Sequence, residues 1–173
     1  MKLRFNEREL IDFANRYEYQ SDEILSEISK SAKINKYLTR EEFIKICEWK
    51  TPRSKPKVAS NQEEYIKEIT NISLTTNCDQ LRIEILTLLN GVGWPTASTI
   101  LHFCHTEEFP IIDFRALYSL GYDSIPKQYN YPFWEKYTDY CRNLSKRLNL
   151  DLRTIDRGLW QYSKENQNKD EKS

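Results

Sequence analysis

The chain has 173 residues and a formal net charge of zero, with 26 basic and 26 acidic side chains. That length suits one compact domain or two interleaved lobes, with enough buried surface to dispense with disulfides or a structural metal. The balanced charge excludes a protein that coats nucleic acid over its whole surface, so any such contact must be a local patch.

Hydrophobic residues make up 39% and aromatics 13%, so Tyr, Phe and Trp must supply much of the packing. Only four Gly and six Pro occur, which argues against a turn-rich all-β fold. Cys47, Cys78, Cys104 and Cys141 are widely spaced with no Cys-x-x-Cys pair. Neither structural zinc nor an iron–sulfur cluster is expected from them. The sequence shows no secretory h-region and no membrane-length apolar run, which predicts a cytoplasmic protein with reduced thiols and no membrane partner.

Helical periodicity dominates the chain. Leu10, Ile11, Phe13, Ala14 and Tyr17 form one apolar stripe, and Ile24, Leu25 and Ile28 a second that starts after Ser21. Thr39-Arg40-Glu41-Glu42 reads as a capping box opening a helix with Phe43, Ile44, Ile46, Cys47 and Trp49. From Trp49 to Lys57, two prolines and the basic Lys50, Arg53, Lys55 and Lys57 occur without an acid, which predicts an extended basic loop. Asn61 is placed to cap the next helix, which holds Tyr65, Ile66 and Ile69. Leu81, Ile85, Leu88 and Leu89 predict a helix before a glycine turn, and Ala97, Ile100, Leu101 and Cys104 one after it.

Further helices are predicted from Phe114 to Leu120, closed by Gly121, from Pro132 to Leu148 and from Leu152 to Tyr162. No strand pair or internal repeat is evident. The fold class is all-α, with roughly nine helices, in one compact unit over 1–163 and a polar, fraying tail over 164–173.

The turn Asn90-Gly91-Val92-Gly93-Trp94-Pro95-Thr96 has the chemistry of an anion seat. Its glycines let a ligand approach the backbone, Pro95 suits a first helical turn, and the N–H groups there lack helical partners. They also carry the positive end of the helix dipole, so a phosphate fits. The competing reading is a glycine turn that simply joins two packed helices.

Leu89 to Leu101 resembles the hairpin of the helix-hairpin-helix DNA glycosylases, the superfamily of endonuclease III and its adenine- and alkyl-base-removing relatives. The hairpin region spans about 81–104, and the close resemblance extends to Leu120. Those enzymes carry an essential aspartate at a fixed distance past the hairpin; here Asp113 lies 22 residues after Gly91. The resemblance implies two interleaved helical lobes with a cleft, duplex DNA as partner, and excision of an extruded base with Asp113 as the catalytic carboxylate. Read without the resemblance, Asp113 is an N-cap, and the two roles are compatible.

Bifunctional members place a lysine two residues after the second hairpin glycine, where this chain has Pro95. The family's cluster-ligating cysteines also have no counterpart. A divergent, monofunctional enzyme without a cofactor is the resulting expectation. The alternative is a non-catalytic helix-hairpin-helix module that binds DNA or another protein.

The expected DNA contacts are Gly91, Val92, Gly93, Trp94 and Thr96 in the hairpin and Lys50, Arg53, Lys55 and Lys57 in the basic segment, with Trp49 available for stacking. Trp94 is expected to pack across the hairpin rather than wedge into DNA, and Arg115 to pair with a carboxylate rather than a phosphate. Tyr129, Tyr131, Phe133 and Trp134 are expected to pack, or else to line a base pocket. His102, Cys104 and His105 lie close together but lack a fourth metal ligand, so no metal is expected.

Overall fold

The computed structural model describes residues 1–18, 21–124 and 129–170, with side chains as far as Gln167. Among the described residues there are ten α-helical segments, two 3-10 turns and no strand. The all-α class expected from the sequence is the one observed. No helix among these residues is long and apolar enough to cross a membrane. The chain divides into two compact units, residues 20–109 and residues 1–19 with 110–173.

The first of these units holds α2 (Glu23–Asn35), α3 (Arg40–Lys50), a 3-10 turn (Pro52–Ser54), α4 (Lys55–Val58), α5 (Glu63–Thr75), α6 (Asp79–Leu86) and α7 (Trp94–Cys104). Helix α7 packs against α2, α3 and α6. Its apolar Ala97, Ile100, Leu101 and Cys104 are buried, as expected. The small Thr96, Ser98 and Thr99 are buried with them, and the hydroxyls of Ser98 and Thr99 both donate to the Pro95 carbonyl at 2.9 Å. Helix α3 starts as the sequence predicts. The Thr39 hydroxyl accepts from the Glu42 amide at 3.3 Å, and the Glu42 carboxylate accepts from the Thr39 amide at 2.9 Å.

Three expectations in this unit are corrected. The basic segment is not extended: Pro52–Ser54 and Lys55–Val58 coil into consecutive helical turns, with proline in the first turn of each. The helix before the glycine turn stops at Leu86, so the 3.6-residue period no longer applies at Leu88, which is 59% exposed. Leu81 is also exposed, while Arg82 is buried through its ion pair with Asp79 at 2.7 Å and its stacking on Phe109. In α2 the buried stripe is Leu25, Ile28 and Ala32, and Ile24 faces solvent.

The other unit holds a 3-10 turn (Glu7–Glu9), α1 (Leu10–Asn15), α8 (Phe114–Ser119), α9 (Tyr131–Leu148) and α10 (Leu152–Asp170). Helix α10 packs on α1, α8 and α9. It continues through the stretch read as a fraying tail as far as Asp170, with Glu165 paired to Arg16 at 3.0 Å; residues 171–173 lie outside the described residues. Phe5, Phe13 and Tyr162 make a ring cluster with centroids 4.5 to 5.3 Å apart.

Helices α1 and α10 approach so closely that a Cβ at Gly158 would stand 2.7 Å from the Leu10 carbonyl oxygen. That neighbour is backbone and cannot swing aside. Gly158→Ala is therefore expected to destabilise the protein by about 1–3 kcal/mol, as overpacking does. Urea unfolding measures this, and an unchanged midpoint would contradict the close approach.

Candidate functional site

The hairpin between α6 and α7 is built on two glycines that do different work. Gly91 has φ +83°, in the left-handed region. The Val92 amide then donates to the Leu89 carbonyl at 3.0 Å and closes the turn. Gly93 is the N-cap of α7 with φ −102° and ψ 177°, a conformation open to any residue. A Cβ on Gly93 would meet only Pro95 Cδ, at 3.8 Å, and the residue is exposed.

The fold therefore requires glycine at 91 but not at 93. The amide N–H groups of Gly91 and Gly93 meet no acceptor among the described residues. Val92 and Thr96 are turned into the core, so their side chains do not offer the contacts expected of them. Trp94 is half-buried. What the hairpin presents outward is chiefly backbone at the positive end of the α7 dipole.

The basic segment is packed directly against this backbone. A Cβ on Gly91 would lie 2.9 Å from Val58 Cγ1 and 3.0 Å from Lys57 Cβ. Lys57 thus springs from the wall of the hairpin. Lys57 and Arg53 are exposed and make no ion pair among the described residues. Lys55 pairs with Glu48 at 2.7 Å, and Lys50 is half-buried at the end of α3.

Trp49 is corrected from a stacking candidate to a core residue. It is buried, its indole N–H donates to the Ser21 carbonyl at 3.1 Å, and its ring meets Phe103 edge-on at 5.1 Å.

Asn61 does not cap the helix that follows; Gln62 stands at that N-cap. The buried Asn61 amide instead donates to the carbonyls of Val58 at 2.9 Å and Asn90 at 3.0 Å. Its oxygen accepts from the Asn90 amide at 2.8 Å. One side chain therefore ties the end of the basic turn to the start of the hairpin. The sequence carried only its residue type, which reads equally well as a cap.

In the other unit, Asp113 is extended and caps α8: its carboxylate accepts from the Ala116 amide at 2.9 Å. It is 7% exposed. Tyr137, wholly buried in α9, donates its hydroxyl to the Ile111 carbonyl at 2.7 Å and so tethers the segment leading to Asp113. Burial, and then the negative charge of Asp113, push the Tyr129 phenol up to about 12.

Tyr129 therefore shares the acid's surroundings. Its ring lies 6.1 Å from Phe133, which meets Tyr122 edge-on at 5.5 Å. Trp134 is core. Arg115 is corrected: it pairs with no carboxylate among the described residues but lies over the rings of Trp160 at 4.9 Å and Phe114 at 5.1 Å.

His102 and His105 make separate hydrogen bonds, and Cys104 is buried in the core. The His102 ring meets the Phe109 carbonyl at 2.7 Å, and His105 Nδ1 accepts from the Glu107 amide at 2.9 Å. Burial raises the Cys104 thiol far above its ordinary range, and burial lowers the His105 imidazole. Among the described residues no group of three or more potential metal-ligating His, Cys, Asp or Glu side chains forms.

No protein-family model matches the chain, and no curated protein matches it. A solved structure does. The chain is similar to the Methanocaldococcus jannaschii 8-oxoguanine glycosylase/lyase, crystallised in complex with a 15mer DNA containing 8-oxoguanine. The TM-score is 0.53 at 20% identity, over 87% of this chain and 95% of that one. The fold is all-α and glycosylase-like.

Two predictions follow from the geometry. Gly91→Ala strains φ and collides with Val58, so it should lower stability by about 1–3 kcal/mol, while Gly93→Ala should stay within about 0.5 kcal/mol of the parent. Thermal or urea unfolding separates them, and equal effects would refute the division of labour. Asp113→Asn removes a negative charge beside Tyr129, so the Tyr129 titration midpoint should fall; tyrosine ring-carbon NMR reads this, and an unmoved midpoint would contradict their proximity.

Proposed function

We propose that this protein binds duplex DNA and hydrolyses the N-glycosidic bond of an extruded base, using Asp113 and no Schiff base. The observation that carries the DNA part is the exposed Gly93 at the start of α7. Its fold-permitted backbone would accept a side chain, yet it carries none, and its N–H meets no acceptor among the described residues. A backbone phosphate of DNA supplies the missing acceptor, and Lys57, rooted against Gly91, adds positive charge beside it. The likeness to a glycosylase/lyase crystallised with DNA supports the same partner.

The chemistry follows from the acid. As the bond from the sugar C1′ to the base nitrogen breaks, the sugar takes on oxocarbenium character, which an ionised Asp113 stabilises. Water then bonds to C1′ and gives up a proton, and the departing base is protonated. Extrusion is required because the bond is inaccessible within the stack. Pro95, two residues past Gly93, offers no amine, so the sugar is released by water rather than through a covalent enzyme adduct.

A second reading rests on one observation: Asp113 is buried and already engaged as a helix cap. In that reading the protein is a DNA-binding module whose acid has only a structural task.

Duplexes carrying different damaged bases, assayed for free-base release, decide between them. The unaltered protein should release a base from at least one, and Asp113→Asn should cut release by about 10²–10⁴-fold while retaining affinity. Binding without any release selects the silent module. Borohydride added during turnover should leave no protein–DNA adduct, and a trapped adduct would contradict the monofunctional mechanism. Gly93→Val should weaken duplex binding about tenfold, or ~1.4 kcal/mol.

A further inference from the structure

We infer that Asn61 is a positioning residue for DNA binding, which locks the basic turn and the hairpin into one phosphate-binding surface. The inference rests on the proposed DNA function and adds to it the residue that sets the seat's geometry.

Three hydrogen bonds carry it. The Asn61 amide nitrogen donates to Val58, the last residue of α4, and to Asn90, the first residue of the turn. Its oxygen accepts from the Asn90 amide. Asn61 is 4% exposed, its bond to Val58 is buried, and its two bonds to Asn90 lie at the edge of the exposed hairpin, so the side chain is held in place while it reaches the surface. A weaker bond on the same seam runs from the Asn90 side chain to the Ser60 hydroxyl at 3.4 Å.

The seam has a purpose beyond closing a loop. It sets the distance between the hairpin amides and the root of Lys57, whose Cβ lies 3.0 Å from where a Gly91 Cβ would stand. A phosphate held by backbone N–H groups makes directional bonds, whereas Lys57 supplies a flexible charge. The two act on the same stretch of backbone only if their spacing is fixed. No other residue type of this size offers an acceptor for the Asn90 amide and two donors for the two carbonyls.

Duplex affinity is measured at several salt concentrations for the full chain and for Asn61→Ala, Lys57→Gln and the double variant. Ile69→Val, in the core of α5, serves as a control for lost stability. Lys57→Gln should lower the slope of log affinity against log salt by about one, for one lost phosphate contact. Asn61→Ala should lower affinity about tenfold and flatten the slope, while Ile69→Val leaves the slope unchanged. In the Asn61→Ala background the effect of Lys57→Gln should shrink, because the two act as a unit.

Additive effects, or an unchanged slope in Asn61→Ala, overturn the positioning role alone. No salt-dependent binding by the unaltered protein overturns the DNA function and this inference with it. If Asn61→Ala fails to fold, Asn61→Ser supplies the same comparison.

Discussion

Everything at the candidate DNA-binding surface depends on one close approach: the Gly91 backbone lies against Lys57 and Val58 with no room for a side chain. The left-handed φ at Gly91 turns the chain there, and the contact with α4 fixes where the turn points. The seam made by Asn61 keeps the two segments in register. Such an arrangement costs the fold something, because it buries a polar amide and confines a flexible glycine. The return is a rigid edge on which unsatisfied backbone donors and a lysine stem stand side by side. A surface with no net charge excess can bind a polyanion only if its positive groups are concentrated in this manner.

The acid in the other unit is organised by similarly local means. Asp113 accepts a hydrogen bond from the helix it starts, and Tyr137 pins the segment leading to it. Capping a helix and stabilising a developing positive charge call for the same ionised carboxylate, so one residue can serve both ends. The half-buried phenol of Tyr129 feels that acid, whose charge adds to burial in raising it. Arg115, stacked on Trp160 and Phe114, spends its charge on ring faces rather than on the neighbouring acid.

The sequence made visible those features whose physics is local. The capping box at Thr39, the turn at Gly91, the cap at Asp113 and the ends of α9 each depend on a few adjacent residues. The features it hid depend on tertiary contact. Asn61 has the composition of a cap, but its partners lie 3 and 29 residues away, and nothing in the local pattern signals that. Lys55–Val58 looks extended because proline and charge dominate it, yet proline in a first helical turn removes no bond and packing on Gly91 decides the rest. Leu88 matched a helical stripe that had already ended two residues earlier, and Arg82 was drawn inward by Asp79 and Phe109. The two glycines looked equivalent in sequence, and only backbone angles separate the one that shapes the turn from the one that leaves an approach open.

In the proposed complex, hairpin backbone donors hold a DNA phosphate. Amide NMR during titration with a short unmodified duplex tests it most directly. The Gly91 and Gly93 resonances should move together and saturably, with Lys57 following, and all three should return as salt is raised. Duplex binding that moves other amides while those of Gly91 and Gly93 stay still would contradict it.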